Sequence, residues 1–186
     1  MSASHGHAPP ESALIVTEAL DQREWDELVA RATDASFCHL WSWRGVIEDV
    51  MGHQAIFRAA RDSAGGLAGV LPLYRLRSRL FGDHLVSVPF MNYGGPCGSA
   101  PARRTLAEWA LGEARSRKAD SLLLRARFQT PGDFTISQSK ITAVLALPAT
   151  ADEMWNMSFV AKFRNKIKRP QRDGMTTRFG PDQLDA

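Results

Sequence analysis

The chain has 186 residues, of which 44% are hydrophobic and 23% are charged, a composition typical of a soluble globular protein with one domain. No stretch approaches the roughly 18 consecutive apolar residues of a membrane-spanning helix, and the first residues, MSASHGHAPPES, lack the pattern of a signal peptide. Cys38 and Cys97 are isolated, which argues against a disulfide framework and a CxxC metal motif. We expect a cytoplasmic protein without a transmembrane segment or a bound metal, with a disordered tail at residues 1–12.

The first elements are predicted to be a strand and two helices. The segment ALIVTE (13–18) has a strand pattern, and Asp21 is placed to cap the helix DQREWDELVARAT. A second helix, WSWRGVIEDVMG, is expected to end at Gly52. Four apolar residues share one side of this second helix: Trp43, Val46, Ile47 and Val50.

A β-hairpin is predicted next. HQAIFRAARD and LAGVLPLYRL have strand patterns and flank SAGG, in which glycine supplies the positive φ of a tight turn. Pro72 lies in the second arm and has no N–H group to donate, so we expect it at a sheet edge or a bulge. DHLVSVPF is predicted to be a further strand.

The second half of the chain is predicted to complete the sheet. A long helix is expected over about 102–117, and the apolar centre of DSLLLRA is typical of a strand covered on both faces. KITAVLALP alternates as a strand does. The interleaved elements indicate an α/β (α+β) fold, a mixed β-sheet flanked by helices on both faces, in a single domain over residues 13–180.

The loop after DHLVSVPF has the composition of a binding site. Gly94-Gly95-Pro96 favours a tight turn that leaves backbone amides open to a ligand. Asn92 and Tyr93 precede the glycines, at the end of a strand, where polar residues reach a cleft. An ordinary connection between a strand and a helix is the alternative.

A basic segment near the C-terminus is the strongest charge feature. Six of the eleven residues from Lys162 to Arg172 are Lys or Arg and none is acidic, while the rest of the chain has a net charge of −3. Repulsion between basic residues four positions apart weakens a helix, which favours a bound anion such as a diphosphate or a nucleic-acid backbone. A solvated charged surface is the alternative.

The basic segment is predicted to be an amphipathic helix. Pro170 removes one backbone hydrogen bond, so we expect the helix to end or kink between Lys166 and Arg169, with Gly174 as a C-cap. Membrane binding is less favoured, because the short apolar stripe is expected to be used in packing. This stripe consists of Phe159, Val160, Phe163 and Ile167.

Four segments together resemble the FemAB-related proteins: GVLPLYRL, LFGDHLVSVPFMNYGGPC, SLLLRA and KFRNKIKRPQRDGM. These proteins are two-domain acyltransferases of the N-acetyltransferase (GNAT) superfamily, and the chain is most similar to the branch associated with exosortase and PEP-CTERM exopolysaccharide systems. The resemblance runs from about Phe37 to the end and implies a GNAT-like fold. It also implies a second GNAT-like domain, so we expect the chain to be an N-terminal half, with residues 181–186 beginning the connection.

The resemblance also implies a substrate site, with no metal and no tightly bound cofactor. Better-known members move an amino acid from aminoacyl-tRNA to an amine of a cell-wall precursor. The acyl donor is accordingly expected to be aminoacyl-tRNA or acyl-CoA, and the acceptor a phosphate-bearing small molecule or a lipid-linked molecule. The residues that match the family motifs, and are expected to bind substrate, are Asn92, Tyr93, Gly94, Gly95, Arg125, Lys162, Arg164 and Lys168.

The expected function is therefore FemAB-like N-acyl transfer to an amine of an anionic sugar, cell-envelope or exopolysaccharide precursor, and an incomplete chain could be inactive. No residue is identified as catalytic: His5 and His7 lie in the predicted tail, and the other three histidines are scattered singly and are expected to be structural or exposed. The alternative is a non-catalytic basic module that binds RNA or an acidic partner.

Overall fold

The computed structural model describes residues 13–127, 134–137 and 141–180. The chain divides into two compact units, residues 1–138 and residues 139–186. The predicted tail at 1–12 and the predicted connection at 181–186 lie outside the described residues, and a single domain over 13–180 stays a prediction. Among the described residues, no helix combines the length and the apolar composition needed to cross a bilayer.

The first unit contains a mixed β-sheet. Its described strands are β1 (Ile15–Thr17), β2 (Gln54–Arg61), β3 (Leu67–Ser78), β4 (Gly82–Ser87), β5 (Cys97–Gly98) and β6 (Ser121–Leu123). They lie in the order β1-β2-β3-β4-β6, with the short β5 paired to β3. All described pairs are antiparallel except β4 and β6, which are parallel and are connected through a helix. This arrangement confirms the predicted mixed sheet.

The described helices follow the predicted order, with three turns that depart from α geometry. The first unit contains α1 (Gln22–Arg31), a 3-10 turn (Phe37–His39), α2 (Trp43–Gly45) continued by a π-helical turn (Val46–Val50), and α3 (Ala100–Ser116). The second unit contains α4 (Ala151–Glu153), a π-helical turn (Met154–Ser158) and α5 (Ala161–Arg172). Asp21 caps α1 as predicted, because its carboxylate accepts a 2.9 Å hydrogen bond from the backbone N–H of Glu24.

Helices cover both faces of the sheet, as the interleaving of strands and helices along the sequence predicts. In β2, Phe57 packs in a cluster with Trp25 and Leu28 of α1, while its neighbour Ile56 packs in a second cluster with Leu106 of α3. Successive strand residues point to opposite faces, so two adjacent apolar residues require two covering layers. The same division separates the neighbouring residues of β3: Val70 and Tyr74 belong to the first cluster, Leu71 and Leu73 to the second.

The prediction that four apolar residues share one side of the second helix is wrong. Ile47 is buried, but Val46 is half-exposed and Val50 is 79% exposed. The reason is the π-helical turn over Val46–Val50, in which hydrogen bonds span five residues instead of four. The wider turn removes the spacing by which residues three and four apart share a face.

Pro72 does not lie in an edge strand, one of the two positions expected for it, although the physical requirement behind that expectation is met. Pro72 lies in the inner strand β3, opposite Phe57 of β2. On the other side of β3, β4 pairs with Leu73–Ser78 and β5 pairs with Gly69 and Val70. The ladder is therefore interrupted at Pro72, where the missing N–H group needs no partner.

Two further strand predictions fail at the C-terminal side of the fold. The segment DSLLLRA forms β6, but β6 is at the end of the sheet and Leu123 is 46% exposed, so it is not covered on both faces. Residues 141–148 of the predicted strand KITAVLALP have no regular secondary structure, and Ile141 is 96% exposed; Lys140 lies outside the described residues. Alternation makes a strand only where a neighbouring strand supplies hydrogen bonds, and the described residues of the second unit include none.

Candidate functional site

The candidate site of the first unit is the loop 88–96, which follows β4. Because β4 and β6 are parallel, their carboxyl ends meet at one edge of the sheet, where α/β proteins commonly bind ligands. The two chain segments are joined just beyond the strands, since the backbone N–H of Arg125 donates to Ser87 Oγ at 2.8 Å. The loop therefore starts from a fixed base at the end of the sheet.

The glycines of this loop are used for packing against the protein itself. The backbone N–H groups of Gly94 and Gly95 both donate to the carbonyl oxygen of Arg125, each at 3.1 Å. The expectation that these amides are open to a ligand is therefore wrong. A Cβ on Gly95 would lie 2.8 Å from the Cα of Ala126, so only glycine allows the loop to approach so closely.

His39 holds the same loop from the opposite side. Its Nε2 lies 2.9 Å from the carbonyl oxygen of Gly95, and its Nδ1 lies 3.1 Å from the backbone nitrogen of Ser36. These partners correspond to a neutral ring that donates from Nε2 and accepts at Nδ1. His39 is 2% exposed, which confirms the structural role expected of this histidine.

Protonation of His39 is expected to destabilise the first unit. Burial lowers the pKa of His39 from its ordinary value of 6.5, although hydrogen bonds to Gly95 and Ser36 oppose this shift. The unfolded chain then binds the proton more readily, so the stability contributed by neutral His39 is complete above about pH 6.5 and is lost as the pH falls through the lowered pKa. The free energy of unfolding, measured in urea, should be lower at pH 5 than at pH 7.5. The difference between the two pH values should be smaller in the His39→Gln variant. The same pH dependence in both proteins would contradict the assignment.

The space beneath the loop is too small for a substrate. A cavity of about 10 Å³ lies between the loop and the rest of the unit, which is room for about one water molecule. Asp34 lines this cavity, and its carboxylate accepts hydrogen bonds from the guanidinium of Arg103 at 2.7 Å and from the backbone N–H of Gly98 at 3.1 Å. A substrate would have to bind on the outer side of the loop. The cavity is lined by Asp34, His39, Gly95, Pro96, Arg103, Ala126 and Arg127.

The outer side of the loop carries the polar residues expected from the sequence. Asn92 is exposed, and Tyr93 is half-buried with the guanidinium of Arg127 5.5 Å from its ring centre. The Arg125 side chain donates a hydrogen bond to the carbonyl oxygen of Met91, so it shapes the loop. The structure thus brings five of the predicted residues together: Asn92, Tyr93, Gly94, Gly95 and Arg125.

The loop also stores backbone strain. Val88 has φ 41° and Phe90 has φ 67°, although neither residue is glycine. A β-branched residue rarely adopts positive φ, and such strain costs on the order of 1–3 kcal/mol and is concentrated at functional sites. The sequence does not predict this strain, because proline restricts the residue before it to extended backbone, whereas Val88 has positive φ.

In the second unit, the basic helix α5 is longer than predicted. It continues through Pro170 to Arg172, so it does not end between Lys166 and Arg169, one of the two outcomes expected there. Gly174, with φ 78°, ends the helix as predicted. The backbone N–H groups of Gly174 and Met175 donate to the carbonyl oxygens of Gln171 and Pro170, respectively. These are the two hydrogen bonds of a Schellman C-cap, and they offset the backbone hydrogen bond that proline cannot donate.

The three predicted cations of α5 have different surroundings. Arg164 donates hydrogen bonds to the carbonyl oxygens of Trp155 at 3.2 Å and Phe159 at 2.6 Å, and so caps the preceding helical turn. The ammonium of Lys168 lies 5.5 Å from the ring centre of Trp155. Lys162 is exposed and has no ion pair among the described residues of its unit. Of the three, Lys162 is the cation that is available to bind an anion without a structural cost.

Comparisons with protein families, curated proteins and solved structures found no match for this chain. Within the part of the chain that the structure describes, no cluster of three or more His, Cys, Asp or Glu residues could hold a metal ion.

Proposed function

We propose that the chain is part of a FemAB-like N-acyltransferase, which moves an acyl or aminoacyl group to an amine of an anionic sugar or envelope precursor. The observation that supports this most is the hydrogen-bonded loop 88–96, which holds Asn92 and Tyr93 at the ends of the parallel strands β4 and β6. The quoted sequence motifs and the mixed sheet with helices on both faces are consistent with the same proposal.

Acyl transfer to an amine depends on two tasks that this loop could perform. The carbonyl of the donor must be held in line with the amine, and the negative charge on its oxygen must be stabilised by hydrogen-bond donors. Asn92 and Tyr93 are the loop residues that carry side-chain donors, and Asn92 is open to solvent. The Gly94 and Gly95 amides are engaged by Arg125, so they are assigned to shaping the loop.

The contacts of α5 distinguish the three basic residues that were expected to bind substrate. Arg164 and Lys168 contact the preceding turn, whereas Lys162 has no such contact among the described residues of its unit. We assign the phosphate contact of the acceptor to Lys162 first. The acyl donor is proposed to be acyl-CoA or aminoacyl-tRNA, bound only during turnover.

Lys162→Ala is expected to weaken the binding of a diphosphate-linked sugar by about 1.5–3 kcal/mol, the contribution of a charge-assisted contact. The measurement is calorimetric titration of the chain with UDP-N-acetylglucosamine. Lys118→Ala is the matched control, because Lys118 is an exposed lysine of the first unit. N-acetylglucosamine, which lacks the diphosphate, should not distinguish the two variants.

The same preparations test the reaction. Each is incubated with a labelled acyl-CoA or a labelled aminoacyl-tRNA and an amine-bearing diphosphate sugar, and the acylated product is measured. An unchanged affinity in Lys162→Ala would remove the phosphate assignment. A chain that binds the sugar but transfers a group from neither donor would contradict acyl transfer by these 186 residues alone.

A further inference from the structure

A second surface of α5 is exposed and is separate from the side held by Arg164 and Lys168. At 100° per residue, Lys162, Lys166 and Arg169 fall within about 60° of one another. We call this row the basic edge. All three side chains are exposed. The only ion pair of the basic edge among the described residues is a 3.9 Å contact between Arg169 and Asp173, and both partners are largely exposed. The basic edge therefore has little charge compensation.

Apolar side chains at the N-terminal end of α5 are also exposed. Val160, directly before the helix, is 70% exposed, and Phe163 is 48% exposed. Met157, in the preceding turn, is 83% exposed. Single exposed apolar residues are ordinary, but three within residues 157–163, at the start of a basic helix, give this segment both apolar and basic exposed side chains.

We propose that this surface of α5 docks on an anionic lipid membrane surface. Amphipathic helices that lie in the membrane interface have apolar residues on one side and lysine or arginine beside them, as α5 does. The basic residues are attracted to anionic headgroups, and the apolar residues are removed from water at the boundary with the acyl chains. The charge of the basic edge and the exposure of Val160, Met157 and Phe163 carry this proposal.

Single-stranded nucleic acid fits the same surface less well. Proteins that bind it without sequence preference stack bases on exposed aromatic rings. Here the ring of Trp155 is contacted by Lys168, and two of the three exposed apolar residues, Met157 and Val160, are not aromatic. Such side chains gain from entering an apolar phase but cannot stack on a base.

The membrane proposal does not rest on the proposed transferase activity. Docking on a membrane requires neither an acyl donor nor an amine acceptor, and the critical residues are Lys166, Arg169 and Val160. Lys162 is left unchanged in the test, because it is assigned to the phosphate of a soluble or lipid-linked acceptor. Either proposal can therefore fail alone.

The test is co-sedimentation of the full chain with vesicles of 70% phosphatidylcholine and 30% phosphatidylglycerol at 0.1 M salt, compared with vesicles of phosphatidylcholine alone. We expect binding to the anionic vesicles and at least tenfold weaker binding to the neutral ones. The double variant Lys166→Gln, Arg169→Gln should bind the anionic vesicles about 25-fold more weakly, since each basic residue near the surface contributes about fivefold. Arg115→Gln, Lys118→Gln removes the same charge from exposed positions of the first unit and should retain binding.

A further variant separates membrane docking from general attraction to polyanions. Val160→Asn removes an exposed apolar side chain but provides a residue favoured before a helix, so α5 should remain formed. We expect it to weaken vesicle binding about tenfold, and circular dichroism confirms the helix content. Equal binding to neutral vesicles, equal loss in the two double variants, or full binding by Val160→Asn would each overturn the proposal. Tighter binding to single-stranded RNA than to the vesicles, unaffected by Val160→Asn, would assign the surface to nucleic acid instead.

Discussion

Replacing Trp25 by alanine is expected to lower the free energy of unfolding by about 3–5 kcal/mol, the usual cost of removing a large aromatic side chain from a core. Trp25 is 1% exposed, and its ring stacks on Phe57 with 4.9 Å between ring centres. Its Nε1–H also donates to the carbonyl oxygen of His39 at 2.7 Å. The loss therefore combines a cavity with a buried carbonyl left without its partner, and circular dichroism during urea unfolding measures it.

The contribution of the hydrogen bond can be separated from that of the ring. Trp25→Phe keeps an aromatic ring but cannot donate a hydrogen bond to the carbonyl oxygen of His39. It should therefore still lose about 1–3 kcal/mol of stability for the missing bond, in addition to a cost for the small cavity that the smaller ring leaves. Phe81→Ala is the control, because Phe81 is 75% exposed and its removal should change stability little. A Trp25→Ala protein as stable as Phe81→Ala would show that the cluster around Trp25 is not the core of the first unit.

Replacing Asp34 by alanine is expected to cost about 3 kcal/mol of stability, because removal of one partner of a buried pair leaves the other charge without compensation. The Asp34 carboxylate is 6% exposed and accepts hydrogen bonds from Arg103 and from the backbone of Gly98. Arg103 retains some access to water, which places the expected loss near the lower end for buried pairs. The measurement is the midpoint and slope of urea unfolding near neutral pH.

Two further variants test the role of the Asp34 charge. Asp34→Asn keeps an oxygen that can accept from Gly98 but removes the charge opposite Arg103, so it should be less destabilising than Asp34→Ala. Glu108→Ala removes an exposed carboxylate from α3 and should have almost no effect. If Asp34→Ala and Glu108→Ala were equally stable, the pair with Arg103 would have no structural role.

The site could be predicted from the sequence only where its residues are close in the chain. Asn92, Tyr93, Gly94 and Gly95 are consecutive, and the glycines identify the loop without any knowledge of the fold. The contacts that shape the loop are distant: His39 lies 56 positions before Gly95, and Ser87 lies 38 positions before Arg125. No spacing rule connects residues so far apart, so the engaged amides and the small cavity beneath them were not expected.

Caps, turns and helix positions follow from the local sequence. Asp21 before α1, the SAGG turn between β2 and β3, and Gly174 after α5 all act through hydrogen bonds or dihedral angles within a few residues. The interleaving of strands and helices along the chain likewise indicates helices on both faces of the sheet, because each element must bury its apolar side against another layer.

Strand partners and burial depend instead on the assembled fold. Pro72 has an inner position because β4 and β5 leave a gap beside it, and residues 141–148 remain without a strand because no neighbour is present in their described unit. Dihedral preferences act over one or two turns of chain, whereas ladder bonds and buried contacts form only after distant segments meet.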